Sequence, residues 1–150
     1  METKALARLT RALLYGVFLL VALLILGLYA YGPLRAFLLE AYGAAGHAWA
    51  VLAFLTAMGG VALWILAELI GVLRTVDKDP FVEKNARAFF RMGLGAELAG
   101  LAFFIKCFFL FTFMTAVCAL VMVLSGLFAL VLAQVFRRAV EYKRENDLTI

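Results

Sequence analysis

Two carboxylates, Glu68 and Glu97, stand inside long apolar runs of the chain. An ionisable group in hydrocarbon marks a functional-site candidate, because an unpaired charge at mid-bilayer costs about 2.5–3.5 kcal/mol on the gentler scales. Three chemistries suit such a pair. Each carboxyl can be satisfied singly, protonated by burial or bonded to a neighbour such as Gln134. Arg74 or Arg91 can reach in from the nearby boundary and close an ionic latch between helices. Or the two can share a proton or bind a cation, as in proton-linked transporters. Lys106 is the remaining charge inside a span. It stands nine residues from Glu97, on the opposite side of one helix, so the two cannot pair; the expectation is an amine snorkelling to the outer headgroups.

The elements that position these groups follow from composition. Of the 150 residues, 67% are hydrophobic, and the mean hydropathy is +1.04, far beyond the roughly 45–50% apolar content of soluble domains. Crossing a bilayer takes about 20 mostly apolar helical residues, and four stretches meet this requirement: 12–31, 48–73, 92–111 and 115–136. The expected fold is therefore an all-α membrane protein, four transmembrane helices in an antiparallel up-down bundle forming one domain. The first stretch is too long for a signal-peptide core, and its Leu28-Tyr29-Ala30 is a poor cleavage site, so it reads as a span. The reversal between the last two spans is placed at 111–115 on length alone.

Twelve of the fourteen Lys and Arg residues fall on one side: Lys4, Arg8 and Arg11 before the first span, Arg74, Lys78, Lys84, Arg87 and Arg91 in the loop 74–91, and Arg137, Arg138, Lys143 and Arg144 in the tail 137–150. The positive-inside rule then puts both termini in the cytoplasm. Meeting anionic lipid accounts for the net charge of +4 without any direct binding of nucleic acid. The opposite loop opens with Gly32-Pro33 and is apolar enough to lie on the membrane surface as a short helix.

With a layout of this kind, Glu68 lies five residues before one boundary and Glu97 five after the next, which puts them at one depth on antiparallel neighbours, both pointing inward. Gly93 and Gly100 flank Glu97, and Gly60, Trp64 and Gly71 share the side of Glu68, as expected where helices approach closely. Small residues at Ser125, Ala129 and Ala133 and the pairs Gly95–Ala99 and Ala96–Gly100 suggest packing within the bundle, with self-association of the chain as the other use.

On the basic side, Asp79-Pro80 reads as an N-cap and first helical residue, so the third helix is expected to begin at Pro80 and to project about two turns before entering the membrane. In the tail, Arg137 and Arg138 can pair with Glu141. Glu145-Asn146-Asp147 is expected to end that helix, leaving Leu148-Thr149-Ile150 as a short apolar end that a partner can capture. No enzyme chemistry is visible. One histidine cannot supply two haem ligands, Cys107 and Cys118 form no C-x-x-C, and neither a zinc set, a nucleophilic triad nor a phosphate-binding glycine loop appears. No metal or other cofactor is expected.

Two motifs carry a resemblance. The tail A-x-V-F-R-R-A-x-E-x-K-x-E-N-D-L-T-I and the loop segment D-P-F-V-x-x-N, from Asp79 through Phe81 to Asn85, are similar to the bacterial integral-membrane family known as domain of unknown function 2975. The resemblance implies four spans, a bacterial inner membrane and a gene placed beside a small Cro/C1-type helix-turn-helix regulator. It carries no catalytic residues. The expected role is an interaction protein, with a docking face formed by Asp79, Pro80, Phe81, Lys84, Asn85, Arg87, Arg91, Arg137, Arg138, Glu141, Glu145, Asn146, Asp147, Leu148 and Ile150. A small proton- or cation-linked transporter or sensor built on Glu68 and Glu97, and an accessory subunit of a membrane complex, are the alternatives.

Overall fold

A computed structural model of the chain describes residues 2–42, 46–76 and 81–147, with side chains for 8–42, 46–75 and 81–146. Within these residues every regular element is helical: α1 (Glu2–Ala30), α2 (Gly32–Ala41), α3 (Ala48–Val76), α4 (Glu83–Phe109) and α5 (Phe113–Asp147). Four of them, all but α2, are long and apolar enough to cross a membrane. Outward-facing Leu20, Leu24, Leu101, Phe128 and Val131 are exposed, the surface that bilayer hydrocarbon covers in place of a protein core.

The long helices pack in chain order, α1 on α3, α3 on α4 and α4 on α5. Each contact is antiparallel. Between α1 and α3, the hydroxyls of Tyr29 and Thr56 are 2.7 Å apart at one end, while at the other Arg11 Nη2 donates to the Leu73 carbonyl at 3.0 Å. That second bond also puts a cation at the negative end of α3. Ile25 lies over Gly59 between them, where a β-carbon would come within 2.7 Å of Ile25 Cδ1.

α4 is the central rod. One face meets α3: Met92 and Ala88 pack with Val72, joined by Ile65, Leu69 and Phe89, and the Trp64 ring covers Gly95. The other face meets α5 so closely that a β-carbon on Gly93 would stand 3.1 Å from the Gly126 carbonyl oxygen, and one on Gly100 would stand 3.2 Å from the Val123 nitrogen. Lipid tails are as apolar as leucine, so helices gain little by hiding hydrocarbon from them. Close backbone approach through small residues supplies the dispersion contacts instead. On α5 the buried small residues are Ala119, Gly126 and Ala133. Of the expected stripe Ala133 is buried on this face, Ala129 is half-buried between it and Gly126, and Ser125 is exposed.

Several expected boundaries shift. The chain reverses at 110–112, between Phe109 and Phe113. α4 begins at Glu83 with Val82 extended at its N-cap position, so Phe81 and Val82 precede the helix rather than lying inside one begun at Pro80; Asp79 and Pro80 themselves lie outside the described residues. Glu145-Asn146-Asp147 does not break α5, which runs unbroken to Asp147. Glu145 and Asn146 are exposed there. Leu148 and Ile150 lie outside the described residues, and of Asp147 only the backbone is described.

α2 is the short surface helix expected after Gly32-Pro33, entered through extended Tyr31 with Pro33 in its first turn. Its Leu34 packs on Gly27 of α1, and Tyr42 at its C-terminal cap reaches the α4–α5 turn.

Candidate functional site

The intramembrane charges are met in three different ways. Glu68, the first of them, is latched: Arg91 Nη2 lies 3.1 Å from both Oε1 and Oε2. The Glu68 side chain is 18% exposed and that of Arg91 52%, so the carboxylate is the inner partner and the arginine reaches it from the rim. Arg74, the other arginine at this boundary, turns instead to α1, donating to the Tyr15 hydroxyl with its guanidinium 5.9 Å from that ring's centroid. Of the expected docking residues, Arg91 is thus committed within the fold.

Glu97 faces the opposite way. Its Oε1 is buried against α5, where a β-carbon at Gly126 would lie 2.7 Å away, and has no hydrogen-bond partner among the described residues. Gln134, offered as its partner, is exposed on α5 and stands eight residues, about 12 Å, along the helix from Gly126. Nor do the two carboxylates share a depth. Trp64 over Gly95 and Glu68 against Arg91 set the α3–α4 register, and that register puts Ala62 opposite Glu97, six residues or about 9 Å from Glu68. The boundary charges near Leu73 and Met92 do not coincide with equal depths in the helices, which is why counting from them misplaces the pair. A proton or cation held jointly by Glu68 and Glu97 has no geometry here. Among the described residues no group of three His, Cys, Asp or Glu side chains gathers for a metal.

Lys106 does not snorkel outward. It is 8% exposed, donates to Thr115 Oγ1 at 3.0 Å and lies 4.3 Å from the centroid of the Tyr42 ring and 5.6 Å from that of Phe54. An ammonium so placed has a hydroxyl acceptor and two π faces in exchange for water. It also sits in the last turn of α4, at the negative end of the helix dipole. Burial, with the Cys118 thiol a lesser contributor, pushes the Tyr42 phenol up, so the ring stays neutral beside the amine at physiological pH. The box ties α2, α3, α4 and α5 at one end of the molecule. No motif spacing flags it, because its four members are far apart in the chain.

At the other end, Asn85 is a structural residue rather than a docking one. It is 1% exposed, its backbone N–H donates to the Val82 carbonyl at 2.9 Å, and its Oδ1 accepts from Thr75 Oγ1 at 2.6 Å. It fastens the end of α3 to the start of α4. Phe81 and Phe89 pack on Phe136, with ring centroids 6.0 and 5.0 Å away, and so hold the start of α4 against α5 where α5 becomes charged. Beyond this contact Lys84, Arg87, Arg137, Arg138, Glu141, Glu145 and Asn146 are all exposed. Arg87 pairs with Glu83 at 2.8 Å and Arg137 with Glu141 at 3.5 Å, both one turn apart along a helix.

Together, these features define a multi-pass, all-helical membrane protein with one charged end and a carboxylate seated in its closest helix pair. The chain belongs to the family described as protein of unknown function DUF2975, whose family model matches residues 3–150. The likeness therefore extends through the first half of the chain as well as through the loop and tail motifs. Neither the curated proteins nor the solved structures contain a match to it.

Proposed function

We propose that this is a non-enzymatic protein of the bacterial cytoplasmic membrane, with both termini in the cytoplasm, that holds a small Cro/C1-type helix-turn-helix regulator at the membrane. The carrying observation is the length of α5. Past Phe136 it continues for eleven residues to Asp147, about 16 Å at helical rise, and every described side chain from 141 to 146 is exposed. A charged helical extension whose described side chains from 141 to 146 are all exposed suits a protein partner better than it suits lipid.

The start of α4 lies beside that rod through Phe81, Phe89 and Phe136, so that Lys84 and Arg87 extend the same platform. Mixed charge, with Arg137, Arg138, Lys143 and Arg144 alternating with Glu141 and Glu145, favours a partner of definite charge pattern over a uniformly anionic surface. Asn85 and Arg91 drop out of the platform, one buried and the other paired.

Co-purification of the helix-turn-helix regulator encoded beside the gene, with the full chain and with a chain ending at Lys143 or carrying Arg138→Glu and Glu141→Arg, tests this reading. Recovery should fall steeply in both variants. Equal recovery contradicts the dock, and stable recovery of other membrane proteins in place of the regulator favours the accessory-subunit alternative.

A further inference from the structure

Between α4 and α5 runs a groove of about 730 Å³, within the roughly 300–1,000 Å³ range of small-molecule sites. Its walls are hydrocarbon, with Leu94, Leu98, Leu101 and Phe104 on one side and Leu120 and Val123 on the other. Two lining residues carry heteroatoms in their side chains, Glu97 and Cys107. Leu98, Leu101, Phe104 and Leu120 are all more than half exposed, so the mouth of the groove faces the bilayer rather than water.

We propose that this groove binds a lipophilic organic cation, an apolar body around a single positive centre, with Glu97 as its counter-ion. A carboxylate whose Oε1 is buried without a partner among the described residues is costly in hydrocarbon unless a charge of opposite sign joins it. The glycine at position 126 leaves the space in which it lies, so the site exists before any ligand arrives. Hard metal cations are poor occupants: they need about six oxygen ligands to replace their water, and a single carboxylate among leucines supplies at most two. A bulky organic cation has diffuse charge, partitions into the bilayer from which the groove opens, and is satisfied by one carboxylate, an aromatic face at Phe104 and apolar walls.

The test uses tetraphenylphosphonium as the probe and tetraphenylborate, of the same shape and opposite charge, as the control, with the purified full-length protein in nonionic detergent. Wild type should bind the cation saturably, and Glu97→Gln should weaken it by about tenfold or more, as expected on removing one partner of a desolvated pair. Tetraphenylborate should bind wild type no more tightly than it binds the variant. Leu120→Trp keeps Glu97 and fills the groove, and it should also lose the cation, which decides the matter if Glu97→Gln fails to fold. Equal cation binding by wild type and either variant, equal affinity for the two ions, or a wild-type dimer that binds no cation because a second copy covers the groove each overturns the proposal.

Discussion

A β-carbon on Gly126 would stand 2.7 Å from Oε1 of Glu97 and 3.0 Å from its Cγ and Cδ; the glycine of one helix is the seat for the carboxylate of the next. Substituting Gly126→Ala therefore forces the Glu97 side chain to move within a tightly packed helix pair. The expected loss is about 1–3 kcal/mol, the range for overpacking, read by unfolding in detergent. Adding Glu97→Ala should return most of it, because the two effects share one contact. A Gly126→Ala protein as stable as wild type, with Glu97 unchanged, would show that the contact is not tight.

Glycines elsewhere should behave according to what faces them. A β-carbon on Gly100 meets Val123 Cγ2 at 2.8 Å and backbone at 3.2 Å, whereas Gly60 has nothing within 4 Å. Gly100→Ala should thus destabilise the α4–α5 pair, while Gly60→Ala should be neutral or stabilising by up to about 1 kcal/mol through helix propensity. Paired unfolding curves for the two variants, measured in the same micelle, check the contrast.

The spans were legible because 20-residue apolar windows are long, uniform signals, and the flanking arginines mark their ends. Register was not. Whether Glu97 lies opposite Ala62 or Glu68 depends on which residues interlock, Trp64 into Gly95 for example, and no periodicity within one helix encodes its offset from the next. Gly126 was missed because it sits in an unbroken apolar run. Lys106 was misread because the outward reach of a lysine near a span end is the ordinary outcome, and the Tyr42 ring that reverses it comes from 64 residues earlier in the chain. Phe81, by contrast, stood out in a motif, though its contact is with Phe136.

The latch between Glu68 and Arg91 joins α3 to α4 near the charged end. Arg91 is half exposed, so the coupling should be modest, about 1 kcal/mol by a double-mutant cycle of Glu68→Gln and Arg91→Gln. Exchanging the charges, Glu68→Arg with Arg91→Glu, should recover more stability than either single reversal. Strict additivity of the two neutral substitutions would show that the pair contributes nothing.

The Lys106 box predicts a graded series at its other members. Tyr42→Phe keeps the π face and should be nearly silent, while Tyr42→Leu loses it and should cost about 1–2 kcal/mol for a desolvated cation. Thr115→Val leaves the buried ammonium short of an acceptor, with an expected cost of about 1–3 kcal/mol. Faster hydrogen exchange should appear first in α2, which Tyr42 tethers, and uniform loosening of α3 and α5 instead would argue against the box as the anchor of α2.

The account of the docking platform depends most on which side of the membrane α5 ends, and impermeant-maleimide labelling of single cysteines in intact cells measures that directly. With Cys107 and Cys118 replaced by alanine, Glu145→Cys should label only after the cells are permeabilised, and Glu40→Cys, on α2 at the opposite end, should label in intact cells. Labelling of position 145 from outside would place the charged rod away from the cytoplasm and contradict the account.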